Sequence, residues 1–203
     1  MERDIIKLTV IAICFLVALV SRKNALDKRD HALLVFALAA TLGADFFLLI
    51  PRNYVVGVAV FCFAHIFYII RYGGNKALRL LPLALPLPII MFFVQNEALI
   101  IIGSVYLSLF VLSYSTMLHA VRRKKYPPIN GILIFAGMTL FVLCDIFVVI
   151  FNAGMHGFYN NLRLEVFAEH AIWLFYTPAQ ICLALSSIKF QYHRITDHSM
   201  ERQ

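Results

Sequence analysis

The sequence predicts an all-α fold, a polytopic bundle of transmembrane helices, and three observations support this prediction. Of the 203 residues, 62% are apolar and only 14% are charged, whereas soluble globular domains are roughly 25% charged. The apolar residues form long runs, each close to the roughly 20 residues that a helix needs to cross a bilayer core. No run alternates apolar and polar residues with the period of two that a β-barrel requires. A soluble or a disordered protein is therefore excluded.

Seven apolar runs are long enough to cross a bilayer, and segments of turn-forming residues separate them. Pro51-Arg52-Asn53 and Gly73-Gly74-Asn75 are typical of tight turns, and Gln95-Asn96-Glu97 leaves room only for a short hairpin. An eighth span is the main alternative, but the tail after Lys189 is too polar to supply it. The predicted spans are residues 5–21, 32–50, 54–72, 77–94, 99–119, 131–151 and 166–190. Together they make residues 1–203 a single integral membrane domain.

The first apolar run could be mistaken for a signal peptide, but the charges at positions 2, 3, 4 and 7 cancel and no small-residue cleavage site follows. We therefore expect the first run to be a retained membrane span.

The fourth run contains Pro82, Pro86 and Pro88. Proline removes a backbone donor and clashes with the preceding turn, so these residues are expected to kink this span.

The distribution of lysine and arginine predicts the orientation of the bundle. With seven spans, the segments on one side of the membrane carry 4 of the 18 Lys and Arg residues, and the segments on the other side carry 14. Because cytoplasmic loops are enriched in these residues, the N-terminus is expected outside and the C-terminus in the cytoplasm. We therefore attribute the net charge of +7 to membrane topology and to contacts with anionic lipids. No nucleic-acid partner is expected. Because the chain is compact, we expect the protein to lie in a bacterial inner membrane and not in the membrane of an organelle.

Two aspartates lie well inside the predicted spans, where a charge is costly. Inserting a central aspartate costs at least about 2.5–3.5 kcal/mol. At about 1.5 Å per residue, Asp45 lies about 7–8 Å below the outer end of its span and Asp145 about 9 Å below. The two carboxyl groups should therefore share one level. Two carboxylates in an apolar pocket cannot both ionise cheaply, so one should keep its proton and act as a general acid beside a general base.

Other polar and aromatic side chains are expected to accompany this pair. Glu169 should lie near the level of the aspartates, and His65 and Tyr176 should lie roughly 15 Å in from the same face. Residues spaced i, i+4, i+7 and i+11 share one face of a helix, and polar or aromatic residues follow this spacing in spans 3 and 7. The candidate residues around the aspartates are His65, Tyr68, Glu169, Trp173, Tyr176 and Gln180.

The residues alone leave other interpretations open. Each aspartate could have a purely structural role by bonding a neighbouring side chain. A metal-dependent lipid hydrolase could use Asp45, Asp145 and His65 with Glu169 or His170, because ligands can come from different helices. A lipid or small-molecule transporter, or a receptor-like sensor, is the non-enzymatic alternative, although we find no internal repeat. The sequence lacks the GxSxG and HExxH motifs that mark serine hydrolases and zinc metalloproteases.

Four short pieces of sequence match the pattern of a known family in order and spacing. They are Leu42-Gly43-Ala44-Asp45, then Gly57 with Phe61 and His65-Ile66-Phe67-Tyr68, then Gly137 with Phe141 and Cys144-Asp145, then Tyr176-Thr177-Pro178-Ala179-Gln180. With this set the chain resembles the YhhN family of membrane proteins from about residue 40 to residue 185. The characterised members of that family are lysoplasmalogenases, and they commonly have eight spans.

The resemblance implies an enzyme that hydrolyses the vinyl ether bond of a lysoplasmalogen. The products would be a fatty aldehyde and a glycerophospho-base, and the reaction needs no cofactor and no metal. Asp45 and Asp145 would be the catalytic acid–base pair, and the candidate residues around them would bind the substrate and orient water. The expected partners are a lysophospholipid, or another amphipathic lipid, and the lipids of the membrane.

Overall fold

The chain forms a bundle of seven α-helices in the computed structural model, which describes residues 2–94, 97–155 and 161–190. The helices are α1 (Glu2–Val20), α2 (Lys28–Leu49), α3 (Tyr54–Gly73), α4 (Pro86–Val94), α5 (Ala98–Arg122), α6 (Pro128–Met155) and α7 (Leu162–Leu185). Among the described residues, β-pairing is limited to an isolated bridge between Ala25 and Ile188. The predicted all-α class is therefore confirmed. The predicted turn at Gln95-Asn96 and the polar tail from residue 191 lie outside the described residues.

Six helical segments of the described chain are long and apolar enough to cross a membrane, which supports an integral membrane protein. They are Ile5–Asn24, Lys28–Leu49, Tyr54–Gly73, Asn75–Val94, Ala98–Arg122 and Pro128–Ala153. Helix α7 has 24 residues and is long enough, but Glu169, His170 and Gln180 lower its hydropathy. The count of seven spans and the outside position of the N-terminus stay predictions.

The fourth apolar run is divided into two helical pieces. A 3-10 helix covers Asn75–Ala84 and contains Pro82, and α4 begins at Pro86. Proline fits the first turn of a helix but disrupts its interior, so Pro86 starts α4 while Pro82 interrupts regular α-helical hydrogen bonding. The expected kink is thus a change of helix type near Leu85.

Three helix starts are fixed by side-chain caps. The side chains of Asp27, Asn53 and Asn161 accept hydrogen bonds from backbone N–H groups in the first turns of α2, α3 and α7. Such caps satisfy donors that have no partner inside the helix. Because Asp27 caps α2, this helix begins four residues before the predicted span.

Six of the helices form a closed ring. Helix α2 packs between α1 and α3, α3 packs on α5, and α5 meets α6. Helix α6 packs on α7, and α7 returns to α1. Helix α4 and the preceding 3-10 helix pack on α5 outside this ring. The interior of the ring is therefore lined by α1, α2, α3, α5, α6 and α7.

Two glycines allow neighbouring ring helices to approach closely. A Cβ atom on Gly57 of α3 would lie 2.6 Å from Leu48 Cγ of α2, and one on Gly137 of α6 would lie 2.8 Å from Leu183 Cγ of α7. Small residues let helix backbones approach in membrane proteins, where van der Waals packing drives association. These contacts set the spacing of the helix pairs that carry Asp45 and Asp145.

A buried polar cluster closes the end of the ring at which α3 and α7 terminate. Arg71 donates from Nε and Nη2 to Asp30 Oδ2 at 3.1 and 2.9 Å, and from Nη2 to Ser186 Oγ at 2.9 Å. Tyr126 donates to Asp30 Oδ1 at 2.7 Å. Burial raises the pKa of the Tyr126 hydroxyl above its usual range, so this group stays a donor. Arg71, near the end of the predicted span 54–72, lies in the last turn of α3 and is 2% exposed.

Candidate active site

Asp45 and Tyr176 connect α2 and α7 in the interior of the ring. The Tyr176 hydroxyl donates a hydrogen bond to Oδ2 of Asp45. Asp45 is 8% exposed and lies one turn before the end of α2, and Tyr176 is buried near the middle of α7. The tyrosine therefore holds the carboxyl group in one orientation inside an apolar bundle.

Asp145 and Tyr106 form a second pair of the same kind, between α6 and α5. The Tyr106 hydroxyl donates to Asp145 Oδ2 at 2.6 Å. Asp145 is half-buried, and α6 continues for ten residues beyond it to Met155. At about 1.5 Å per residue this places Asp145 roughly 15 Å from the helix end. The predicted depth was smaller because the predicted span ended at residue 151.

One buried aromatic cluster borders both carboxyl–tyrosine pairs. The Phe141 ring lies 5.9 Å from the Tyr176 ring and 5.9 Å from the His65 ring, between centroids. Tyr106 lies 5.0 Å from His65. Cys144, next to Asp145, is within electrostatic reach of both Asp45 and Asp145. The two carboxyl groups thus belong to the same region of the ring interior.

Three of the predicted residues present buried polar atoms to this interior. His65 is 0% exposed, and its Nδ1 lies 3.0 Å from Ser113 Oγ. His65 Nε2, the Tyr68 hydroxyl and both amide atoms of Gln180 have no hydrogen-bond partner among the described residues. Buried polar groups are nearly always bonded to protein or to water. These atoms are therefore suited to bind water or the polar part of a substrate.

Trp173 and Lys7 extend the site toward the start of α1. The Trp173 ring packs edge-on against Tyr176, with centroids 6.1 Å apart. Lys7 Nζ lies 4.0 Å from the centroid of Trp173, within the range of a cation–π interaction. The Lys7 ammonium also acts electrostatically on Asp45. Glu169 is half-buried one turn before Trp173 on α7.

The sequence did not single out Tyr106 and Lys7. Both had a detectable signal, since each is a polar group inside an apolar run. Lys7 was used only as one of the charges near the N-terminus. Neither signal indicates which helix the side chain contacts, so their link to the aspartates required the three-dimensional structure.

The predicted residues do not assemble as a metal site. Within the described chain, no three His, Cys, Asp or Glu side chains come close enough together to hold a metal ion. His65 contacts Ser113, and the exposed His170 places its Nδ1 2.7 Å from the Val166 carbonyl oxygen of its own helix. The geometry consequently gives the metal-dependent alternative no ligand set among these residues.

Comparison with known proteins identifies the family. The sequence profile of the YhhN family matches residues 3–187, which is nearly the whole chain. The chain belongs to the YhhN family. Neither the curated proteins nor the solved structures give a match.

The sequence pieces that resemble the YhhN pattern are also the pieces that build this site. Asp45 and Tyr176 form one hydrogen-bonded pair, Asp145 is the carboxyl group of the other, and His65 contributes to the aromatic cluster. Gly137 lets α6 approach α7 closely. In this YhhN protein the family pattern therefore describes one continuous region in the interior of the ring.

Proposed function

We propose that this YhhN protein hydrolyses the vinyl ether bond of lysoplasmalogens, with Asp45 and Asp145 as the acid–base pair. The observation that carries the proposal is the pair of carboxyl groups inside the ring, each held by a tyrosine from another helix. Family membership supports the same activity. Two carboxyl groups in apolar surroundings provide both a proton donor and a proton acceptor.

The reaction needs one proton donor, one base and one water molecule. The acid protonates the vinyl carbon remote from the ether oxygen, which gives an oxocarbenium ion. The base removes a proton from water as its oxygen bonds to the cationic carbon, and a hemiacetal forms. The hemiacetal hydroxyl then loses its proton, the bond to the glycerol oxygen breaks, and that oxygen is protonated. The products are a fatty aldehyde and a glycerophospho-base, and one water molecule is consumed.

The surrounding side chains fit distinct steps of this reaction. A carboxylate near the developing cation stabilises the oxocarbenium ion. The buried polar atoms of His65, Tyr68 and Gln180 are suited to orient the water and the ether oxygen. The rings of Phe61, Phe110 and Phe141 pack around this region, and their apolar surfaces suit the alkenyl chain.

The direct test is release of fatty aldehyde from a lysoplasmalogen by the detergent-purified protein. The wild type is compared with Asp45→Asn and Asp145→Asn, in which the carboxyl groups are replaced by amides of similar size. Each substitution should lower kcat by about a hundredfold or more, since general acid–base catalysis contributes about 10²–10⁴-fold. Thermal unfolding and gel filtration of each variant report whether the fold is intact.

A matched control and a chelator sharpen this test. Glu97→Gln removes an exposed carboxylate just before α5 and should leave the rate unchanged. The wild-type rate should also persist in a metal chelator. Full activity in either folded Asn variant would refute the assignment of the catalytic pair. Inhibition by the chelator, reversed by added metal, would favour the metal-dependent hydrolase, and a well-folded wild type that releases no aldehyde would contradict the proposed reaction.

A further inference from the structure

We propose that Lys7, held against Trp173, binds the phosphodiester of the lysophospholipid and so sets the position of the vinyl ether at Asp45. This inference rests on the proposed function, because it names a headgroup subsite for that substrate class. It assigns recognition of the substrate's charge to α1, a helix that contributes no residue to the two carboxyl–tyrosine pairs.

The first support is the location of Lys7 in the ring. Its ammonium lies 4.0 Å from the Trp173 centroid, and Trp173 packs on Tyr176, the hydrogen-bond donor to Asp45. Lys7 also acts electrostatically on Asp45. A line of contacts therefore leads from the Lys7 ammonium to the proposed reacting groups.

The second support is chemical. A lysine ammonium is a compact point charge with three donors and is a common ligand of phosphate. The phosphodiester is the anionic group that every lysoplasmalogen headgroup shares, whatever amine it carries. Lys7 is half-buried, and a charge in such a place interacts more strongly with an anion than a solvated surface lysine does. Recognition of the phosphodiester would thus be independent of the terminal amine.

The third support is the length of the substrate. Five covalent bonds separate the vinyl ether oxygen from the phosphorus atom, and an extended chain advances about 1.25 Å per bond, which gives a reach of about 6 Å. A phosphodiester beside Lys7 would direct the vinyl ether along Trp173 and Tyr176 toward Asp45. The glycerol backbone would bridge Lys7 and the carboxyl pair.

The test measures binding separately from catalysis. The probes are two saturated ethers, 1-O-alkyl-glycerophosphoethanolamine and 1-O-alkylglycerol, which lack the vinyl group and differ by the phosphoethanolamine headgroup. Lys7→Met should raise the Kd of the phosphodiester probe roughly tenfold or more, since a hydrogen bond to a charged group is worth that much. The Kd of 1-O-alkylglycerol should change less than twofold, and Lys7→Arg should retain most of the phosphodiester affinity.

The control variant is Lys76→Met, which removes an exposed lysine at the start of the 3-10 helix and should leave both Kd values unchanged. Equal losses for the two probes in Lys7→Met, or no loss for either, would overturn the headgroup subsite. Lys7→Gln provides a second neutral variant if the Met variant is poorly folded. The two probes are not hydrolysed, so their binding is independent of the reaction. If Lys7→Met selectively loses affinity for the phosphodiester probe but the wild type releases no aldehyde, the proposed reaction is refuted and the headgroup subsite stands.

Discussion

Tyr106 on α5 donates a hydrogen bond to Asp145 on α6, with 2.6 Å between its hydroxyl oxygen and Oδ2. Two turns further along α5, the Tyr114 hydroxyl lies 3.2 Å from Thr139 Oγ1 on α6. The first bond joins the two helices and holds a proposed catalytic group, whereas the second only joins the helices. The interface thus offers two similar tyrosines whose roles can be separated.

We predict that Tyr106→Phe lowers kcat for aldehyde release by about 10-fold to 100-fold, because a misplaced catalytic group can cost that much. Tyr176→Phe should act similarly through Asp45. Tyr114→Phe removes a hydroxyl from the same α5–α6 interface and should stay within about twofold of the wild-type kcat. Steady-state kinetics in one detergent would measure all three variants. An equal loss in Tyr114→Phe would assign the effect to helix packing and not to the carboxyl groups.

Gly137→Ala should destabilise the protein. The added Cβ would lie 2.8 Å from Leu183 Cγ and 3.2 Å from the Ala179 carbonyl oxygen, and overpacking of this kind costs about 1–3 kcal/mol. Gly131→Ala on the same helix is the control, since its Cβ would meet nothing within 4 Å. Thermal unfolding in detergent should give a lower Tm for Gly137→Ala and an unchanged or higher Tm for Gly131→Ala. The same Tm for both variants would argue against close α6–α7 packing.

Phe141→Ala should lower the free energy of unfolding by about 3–5 kcal/mol, the range for truncation of a buried phenylalanine. Phe141 is 1% exposed and contacts the rings of His65, Phe110 and Tyr176. Phe135→Ala, at a position 44% exposed on the same helix, should cost far less. Unfolding in mixed micelles of increasing denaturing detergent can compare the two variants. Similar losses would place Phe135 as deep in the packing as Phe141.

Asp30→Asn and Arg71→Met should each destabilise the protein by about 3–5 kcal/mol, because removing one partner leaves the other charge buried. The ion pair spans 2.9 Å, and the Asp30→Asn/Arg71→Met double variant should be more stable than the sum of the single losses indicates. Arg79→Met, at an exposed position, is the control. Additive losses in the double variant would show that the two residues do not interact energetically.

The sequence alone determined the helices of this protein to a useful degree. Helix α3 begins at Tyr54, where its span was predicted to begin, and ends one residue beyond the prediction at Gly73. The hydrogen bonds of a helix connect residues close in sequence, and a long apolar run indicates a segment that can lie in a bilayer. The membrane-spanning helices can therefore be predicted from the sequence. The same logic indicated Asp45 and Asp145, because a carboxyl group inside an apolar run is costly and conspicuous. Their catalytic role and the orientation of the bundle stay predictions.

Only the tertiary structure decided which groups meet. Helical periodicity indicates the face on which Asp145 lies, but Tyr106 reaches it from another helix 39 positions away in the chain. Arg71 lies inside its predicted span, but its partner Asp30 is 41 positions earlier in the chain and on another helix. Contacts of this kind depend on the order of helices around the ring, which the spacing of residues within one helix does not contain. Side-chain periodicity is local, and the site is formed by contacts between distant helices.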